Sequence, residues 1–308
     1  MSLSPISQIG TWQFHPLITT FPGHVLPNVQ YWNVTNGTWE YQVQLSFPLN
    51  WTSTAEDSSV NTMYVLDGNA LGGTATEAFR RRRPVEFNMG DWITVSIGYP
   101  ETIADSPYST HRSYDYQPPV CKTCPPAPFP GVPSNADNFI QILDKVIRPW
   151  VRKTIFPHAE FKRDALYGHS FGGLFAIYAM IKKPDLFDTF LASSPTLYWN
   201  NNYMLNQTGS LNSTTGNNTK RPAFQLSYGR LEQYPVKRRT ETQAEFAFRQ
   251  SFLQSMPMVD LCNTFYNKVK NSLRLRDVSL REFPNSDHAS VGAVALTDGI
   301  DYFFDWFP

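Results

Sequence analysis

Short β-rich apolar runs alternate along the chain with longer stretches of helical period. Residues 39–47 (WEYQVQLSF) alternate apolar and polar, which predicts an early antiparallel or edge strand exposed on one face. Continuous apolar runs follow at 62–66, 92–97, 164–167, 189–193, 224–228 and 275–283, as expected of strands buried on both faces. Helical patterns fall between them at 73–82, 137–153, 171–182, 241–255, 259–272 and 290–305. Within 137–153, Phe139, Ile140, Leu143, Val146, Ile147 and Trp150 recur at helical spacing and turn one apolar stripe toward a sheet. Strands alternating with helices predict an α/β fold, a three-layer sandwich around a mainly parallel sheet.

Two segments break the rhythm. Residues 117–134 are too proline-rich for a helix or a central strand, and residues 200–220 are rich in Asn, Ser and Thr. Both are expected to be long surface loops inserted in a single domain, residues 1–308, where they could act as lids. Composition narrows the function. Lys plus Arg and Asp plus Glu are 26 each, so no global field recruits nucleic acid or an anionic membrane, and neither is an expected partner. Aromatic residues at 15% and 24 prolines suit a loop-rich surface and an aromatic-lined pocket for a small neutral or amphipathic ligand.

The N-terminal segment has no charged region followed by an apolar run, and no stretch approaches the about 18 apolar residues of a spanning helix. Cys121, Cys124 and Cys262 are too few for a disulfide framework. The expectation is a cytoplasmic protein, with secretion as the alternative because Asn33, Asn36, Asn50, Asn206, Asn212 and Asn217 lie in glycosylation sequons.

Candidate chemistry concentrates at Tyr167–Gly173, YGHSFGG, between a strand pattern and a helical one. This is a GxSxG turn in the strand, turn and helix context that presents a serine, here Ser170, at a helix N-terminus. A serine hydroxyl needs a base near neutral pH, and in a fold of this kind the base comes last in chain order. Of the six histidines only His288, after the last strand pattern and before the last helix, meets that requirement. A carboxylate to orient it should follow the strand between them. Glu232 is the first carboxylate after strand 224–228, with Asp260 second. The oxyanion of an acyl-transfer reaction would then meet the N–H of Phe171 and one from the loop Asp67–Ala70, for which Asn69 is chosen with Gly68 next.

These residues also carry a resemblance. VLDGNALGGTATEAFR (65–80), SIGYP (96–100), HRSYDYQPP (111–119), YGHSFGGLFA (167–176), SSPTLYW (193–199), YGRLE (228–232) and DHASV (287–291) resemble the putative esterase family of α/β-hydrolases. Within it the chain looks most like the siderophore esterases of enterobactin, salmochelin and bacillibactin type and their fungal relatives acting on fusarinine-type siderophores. The resemblance runs over about residues 10–306 and implies Ser170 as nucleophile, His288 as base and Glu232 as acid. It departs at 117–134 and 200–220, which look longer than in compact bacterial members and so bear on substrate identity.

Other features have simpler readings. Cys121 and Cys124 form a CxxC without further ligands for zinc, and the run Arg80–Arg83 fits a solvated helix end. Trp199 walls an acyl pocket or belongs to the core, and Arg112 contacts substrate or pairs with Asp115. The expectation is therefore a serine carboxylic ester hydrolase without metal or cofactor, acting on a small-molecule ester, most specifically a siderophore ester, with release of its iron. The alternatives are a general esterase or thioesterase of feruloyl, acetyl or S-formylglutathione type, and a hydrolase-like scaffold that only binds.

Overall fold

A computed structural model describes residues 7–21, 25–86, 89–120, 132–212 and 221–305. The strands form a mainly parallel α/β arrangement with helices on both sides. The chain divides into two compact units, one of residues 1–115 and 135–166, the other of 116–134 and 167–308.

The first unit begins with an antiparallel meander of β1 (Ser7–Ile9), β2 (Trp12–Ile18), β3 (Val29–Thr35) and β4 (Glu40–Ser46). β5 (Ser59–Leu66) leads through helix α1 (Gly68–Arg82) to β6 (Asp91–Gly98), which pairs parallel with β5 and antiparallel with β4. After α2 (Arg112–Asp115), a helical stretch runs from α3 (Ala136–Ile142) through α4 (Arg148–Trp150), with π-helical turns at Leu143–Ile147 and Val151–Ile155. Pro149 stands inside this stretch without ending it. The wider turns suit a residue that has no N–H for the regular helical bond. All six apolar stripe residues expected from the sequence are buried. Aromatic side chains explain why the meander packs there: Phe14 stacks on Trp150 at 4.5 Å, Trp32 meets the same ring edge-on at 5.3 Å, and Tyr41 stacks on Phe139 at 5.5 Å.

β7 (Glu160–His169) carries the chain into the second unit. There α5 (Phe171–Lys182), β8 (Thr189–Ser193), α6 (Trp199–Asn202), β9 (Ala223–Gly229), α7 (Gln243–Gln254), α8 (Met258–Val269), β10 (Asp277–Phe283) and α9 (His288–Asp305) follow in order. β8, β9 and β10 are neighbours and parallel.

The structure corrects several expectations. β4 is antiparallel, as expected, but it lies between β3 and β6 and is no edge strand, and the later half of its polar face is buried. Gln44 and Ser46 are buried, Gln44 donates to Thr76 on α1 at 3.0 Å, and the Thr76 hydroxyl lies 3.0 Å from that of Ser46. Period-two polarity here marks a face satisfied by hydrogen bonds instead of water. β10 is not buried on both faces, because among the described residues it pairs only with β9 and is half-exposed. The start of the expected 200–220 loop forms short 3₁₀ turns at Tyr203–Asn206 and Thr208–Asn212, anchored by buried Met204, Leu205 and Leu211. In the 80–83 run, Arg80 and Arg82 are mostly buried and paired with Glu77 and Glu86, while the more exposed Arg83 meets Asp91 at 3.3 Å. Cys121, Cys124 and Asn217 lie outside the described residues. No helix among the described residues is long and apolar enough to cross a membrane.

Asp115 is fully buried and accepts from Tyr99 Oη at 2.9 Å and Asn135 Nδ2 at 2.6 Å. Burial pushes its carboxyl from an ordinary 3.8 up to about 6, against those hydrogen bonds. Because the folded value lies above the unfolded one, this group favours the fold at low pH and that benefit is lost as pH rises through about 6. Asp115→Asn, which cannot ionise, should therefore gain about 2 kcal/mol of stability relative to the parent between pH 4.5 and 7.5. Denaturant melts at both pH values check this, and a pH-independent difference would contradict it.

Candidate active site

The turn between β7 and α5 starts with a steric requirement. A Cβ at Gly168 would overlap the carbonyl of Gly172, and one at Gly173 would press on the backbone of Ser193 and Pro195 at 3.0–3.1 Å. Only with both positions bare can strand and helix pass this close. Ser170 sits between them at φ 58° and ψ −118°, a strained conformation for a residue with a side chain. Backbone bonds hold it there: its N–H donates to Ser193 at 2.9 Å, and its carbonyl accepts from Leu174 at 3.0 Å and Thr196 at 3.1 Å. The Ser170 hydroxyl is thus presented at the N-terminus of α5, beside Phe171, the helix's first residue.

The segment after β9 makes a 3₁₀ turn, Arg230–Glu232, and folds the Glu232 carboxylate back on the strand end. Glu232 is 4% exposed. Its Oε1 accepts the Gly229 N–H at 2.7 Å and the Ser194 hydroxyl at 2.5 Å. A buried carboxylate needs such donors to offset lost hydration. Gly229 is required because the loop before α9 lies against it: a Cβ there would strike the Ser286 carbonyl, and the neighbouring Leu231 N–H donates to that same carbonyl at 3.1 Å.

That docked loop delivers His288, the first residue of α9. Asp287 caps the helix by accepting the Ser290 N–H at 3.0 Å, a bond that holds its carboxyl below its ordinary value. His288 Nδ1 lies 2.5 Å from Glu232 Oε2, and Nε2 lies 2.9 Å from Ser170 Oγ. With Nδ1 protonated, the ring donates to the carboxylate and accepts from the serine. This arrangement allows an imidazole to take up the serine proton while a fixed negative charge offsets the charge it gains. The ring of buried His169 lies 4.7 Å away, and Gly292, one turn along α9, leaves room for it.

The structure brings the Ser170, His288 and Glu232 side chains within hydrogen-bond distance of one another in sequence. Asp260 is elsewhere, on α8, accepting from Gln233 at 2.6 Å. Glu232 is also no exposed partner of Arg230 or Arg238. Ser194 was not anticipated. The only signal for it was its place directly after β8, the strand beside β9. Trp199 is buried, with Tyr203 edge-on at 5.8 Å. Cys262 is buried too, and burial pushes its thiol well above its ordinary value, which leaves it unreactive.

The loop Asp67–Ala70 belongs to the first unit. Asp67 adopts a left-handed conformation, φ 54° and ψ 50°, and its buried carboxylate takes both arms of Arg112, Nε at 2.9 Å and Nη2 at 2.8 Å. Arg112 therefore pairs with Asp67, not with Asp115, and also lies over the Tyr108 ring at 4.9 Å. Asn69 ties the start of α1 to the end of β6: its Oδ1 accepts the Tyr99 N–H at 2.8 Å and its Nδ2 donates to the Tyr99 carbonyl at 2.9 Å.

Comparison with known proteins adds a family. The putative esterase family model matches residues 35–238. A siderophore enterobactin esterase of Emericella nidulans is 37% identical over 298 residues, covering 94% of this chain and 96% of that protein. A siderophore triacetylfusarinine C esterase of Aspergillus fumigatus is 32% identical over 291 residues, covering 92% of this chain and 95% of that one. Among solved structures, siderophore hydrolase EstA from Aspergillus nidulans matches with a TM-score of 0.84 at 36% identity, over 92% of this chain and 96% of its own. With well over half its length matched by the family model, the chain belongs to the putative esterase family.

Proposed function

We propose that this chain is a serine carboxylic ester hydrolase and that its substrate is a siderophore ester. The observation that carries the reading is the unbroken hydrogen-bond chain from Ser170 Oγ through His288 to the buried Glu232 carboxylate. In this reading Ser170 Oγ attacks the ester carbonyl carbon as His288 Nε2 takes its proton. The carbonyl oxygen gathers negative charge and is met by the N–H of Phe171 at the start of α5. Collapse of the tetrahedral species breaks the carbon–oxygen ester bond, and His288 returns the proton to the departing alcohol. Water then attacks the acyl-serine, His288 again takes a proton, and the acid leaves with Ser170 restored.

Glu232 never needs to become protonated. Its charge, fixed by Ser194 and Gly229, keeps Nδ1–H directed toward it and favours the imidazolium. The siderophore assignment is supported by relatives named for enterobactin and triacetylfusarinine C that match nearly the whole chain. Ester cleavage would untie chelating arms that the intact backbone holds at high effective concentration, and iron binding would weaken accordingly.

Ser170→Ala and His288→Ala should each remove turnover of triacetylfusarinine C and enterobactin, followed by mass spectrometry, while leaving the thermal transition in place. Parent-like rates in either variant would rule the mechanism out. Ser170 should also be the residue labelled by a fluorophosphonate probe, and labelling elsewhere, or none, would count against it. Ser194→Ala should lower kcat on the order of tenfold with little change in KM, because it loosens the carboxylate that orients the base. An unchanged kcat in Ser194→Ala would remove the positioning role.

A further inference from the structure

Two side chains near the end of β7, Tyr167 and His169, stand two residues apart and so share one face of the strand, the face on which α9 lies. Both are almost fully buried. Tyr167 Oη donates to the Gly292 carbonyl at 2.6 Å, one helical turn after His288. The far end of α9 is tied separately, where Tyr302 Oη donates to Asp277 at 2.5 Å. The Tyr167 bond thus fixes how the first turn of α9 sits on the end of β7, and with it the backbone that carries His288.

α9 comes this close to the strands because it is bare where it meets them. A Cβ at Gly292 would stand 3.1 Å from His169 Cγ and Nδ1 and 3.3 Å from Cδ2, and one at Gly299 would stand 3.1 Å from Leu191 Cδ1 on β8. Glycine is a poorer helix former than alanine, so its place inside a helix calls for a packing reason. At Gly292 the reason is an imidazole. Nearly equal distances to three of its ring atoms put the glycine over the face of His169.

The other neighbour of that ring is His288, whose own ring is centred 4.7 Å away at a tilt of 40°. His169 is therefore wedged between Gly292 and the base. His288 needs such a support. Its hydrogen bonds to Glu232 and Ser170 are made by its two nitrogens and leave the ring free to tilt about the line joining them. Its side chain is 43% exposed, so solvent offers nothing rigid on the open side. A tilt swings both bonds out of the ring plane and away from the near-linear geometry in which they are strongest.

We propose that His169 is a positioning residue for the general base, a ring held under Gly292 that sets the tilt at which His288 faces Ser170 and Glu232. The assignment rests on the esterase reading, because a correctly tilted base matters only where Ser170 is the nucleophile. It gives the histidine of the GxSxG turn a task other than proton transfer, since neither bond of the Ser170–His288–Glu232 chain passes through it.

Gly292→Ala is the first test, because its methyl must displace the His169 ring by a few tenths of an ångström while leaving a better helix former in α9. It should lower kcat for p-nitrophenyl acetate about fivefold with little change in KM, as a small misplacement of a reacting group does. In proton NMR, the far-downfield signal of the proton between His288 Nδ1 and Glu232 should shift. In a His169→Ala background the same methyl has no ring to displace, and the loss on adding it should fall below about twofold. Tyr167→Phe, which frees the first turn of α9 and keeps both imidazoles, should lower kcat about threefold. Parent-like kcat and an unmoved proton signal in both Gly292→Ala and Tyr167→Phe, even with a lowered thermal transition, would overturn the assignment. An equal loss from Gly292→Ala with and without the His169 ring would overturn it too. If His169→Ala does not fold, Gly292→Ala and Tyr167→Phe decide. Fluorophosphonate labelling of Ser170 in the unaltered chain tests the esterase reading separately, and the proton signal reports the tilt whether or not an ester is turned over.

Discussion

The second unit is organised around one buried negative charge. Glu232 sits almost out of reach of solvent, and a carboxylate there is tolerated only if donors surround it. Each donor constrains a different piece of chain. Ser194 is the residue after β8, Gly229 is the last of β9, and His288 opens α9. The constraint spreads through the backbone. Ser194 N–H donates to Ser227 at 2.7 Å, Ser170 N–H to Ser193 at 2.9 Å, and Leu231 N–H to Ser286 at 3.1 Å. The ends of β7, β8 and β9 and the loop before α9 are thereby fastened to one another, and moving the carboxylate would disturb all of them.

The first unit repeats this logic with an ion pair. Asp67 is buried, its conformation is left-handed, and its charge is taken bidentately by Arg112. Such fork geometry fixes direction as well as distance. Asn69 adds a second tie by pairing its amide with both backbone groups of Tyr99, and Gly98 has to be a glycine because a Cβ there would strike the Asn69 side chain. The start of α1 is therefore held by side chains on both sides of the loop, so its N–H groups are oriented in advance.

What could be read from the sequence follows from the range of the interactions involved. Ser170 was legible because the glycines that flank it encode a tight local turn. His288 and Glu232 were legible because chain order in an alternating α/β pattern limits which residues follow which strand. Ser194 was not, since its role depends on β8 lying beside β9, and nothing near it in sequence distinguishes it from an ordinary loop serine. Arg112 shows the same limit: Asp115 is three residues away, yet the partner is Asp67, 45 residues distant. In the fold, strands β5 to β9 announced themselves by continuous apolar runs. β2 and β3 did not, because Pro16 and interspersed polar residues hide them, and their aromatic side chains become informative only against Trp150. β4 was misread on one face for a related reason, as Gln44 and Ser46 are buried and satisfied by Thr76 of α1.

Backbone strain ties these observations together. Asp67, Ser170 and Ser194 all have positive φ, at 54°, 58° and 41°. Each is the residue immediately after a strand, following Leu66 of β5, His169 of β7 and Ser193 of β8 respectively. A parallel strand that must turn sharply at its C-terminal end places its next residue in this sparsely populated region, at about 1–3 kcal/mol each for a residue other than glycine. Glycine would relieve the strain but would supply no side chain. In all three places the side chain instead makes a polar bond: Asp67 to Arg112, Ser170 to His288, and Ser194 to Glu232. Short polar residues are the ones that reach this conformation while still offering a donor or acceptor. The turn that opens the strand end thus also aims the group that works there, and its cost is offset by the same hydrogen bonds that assemble the site.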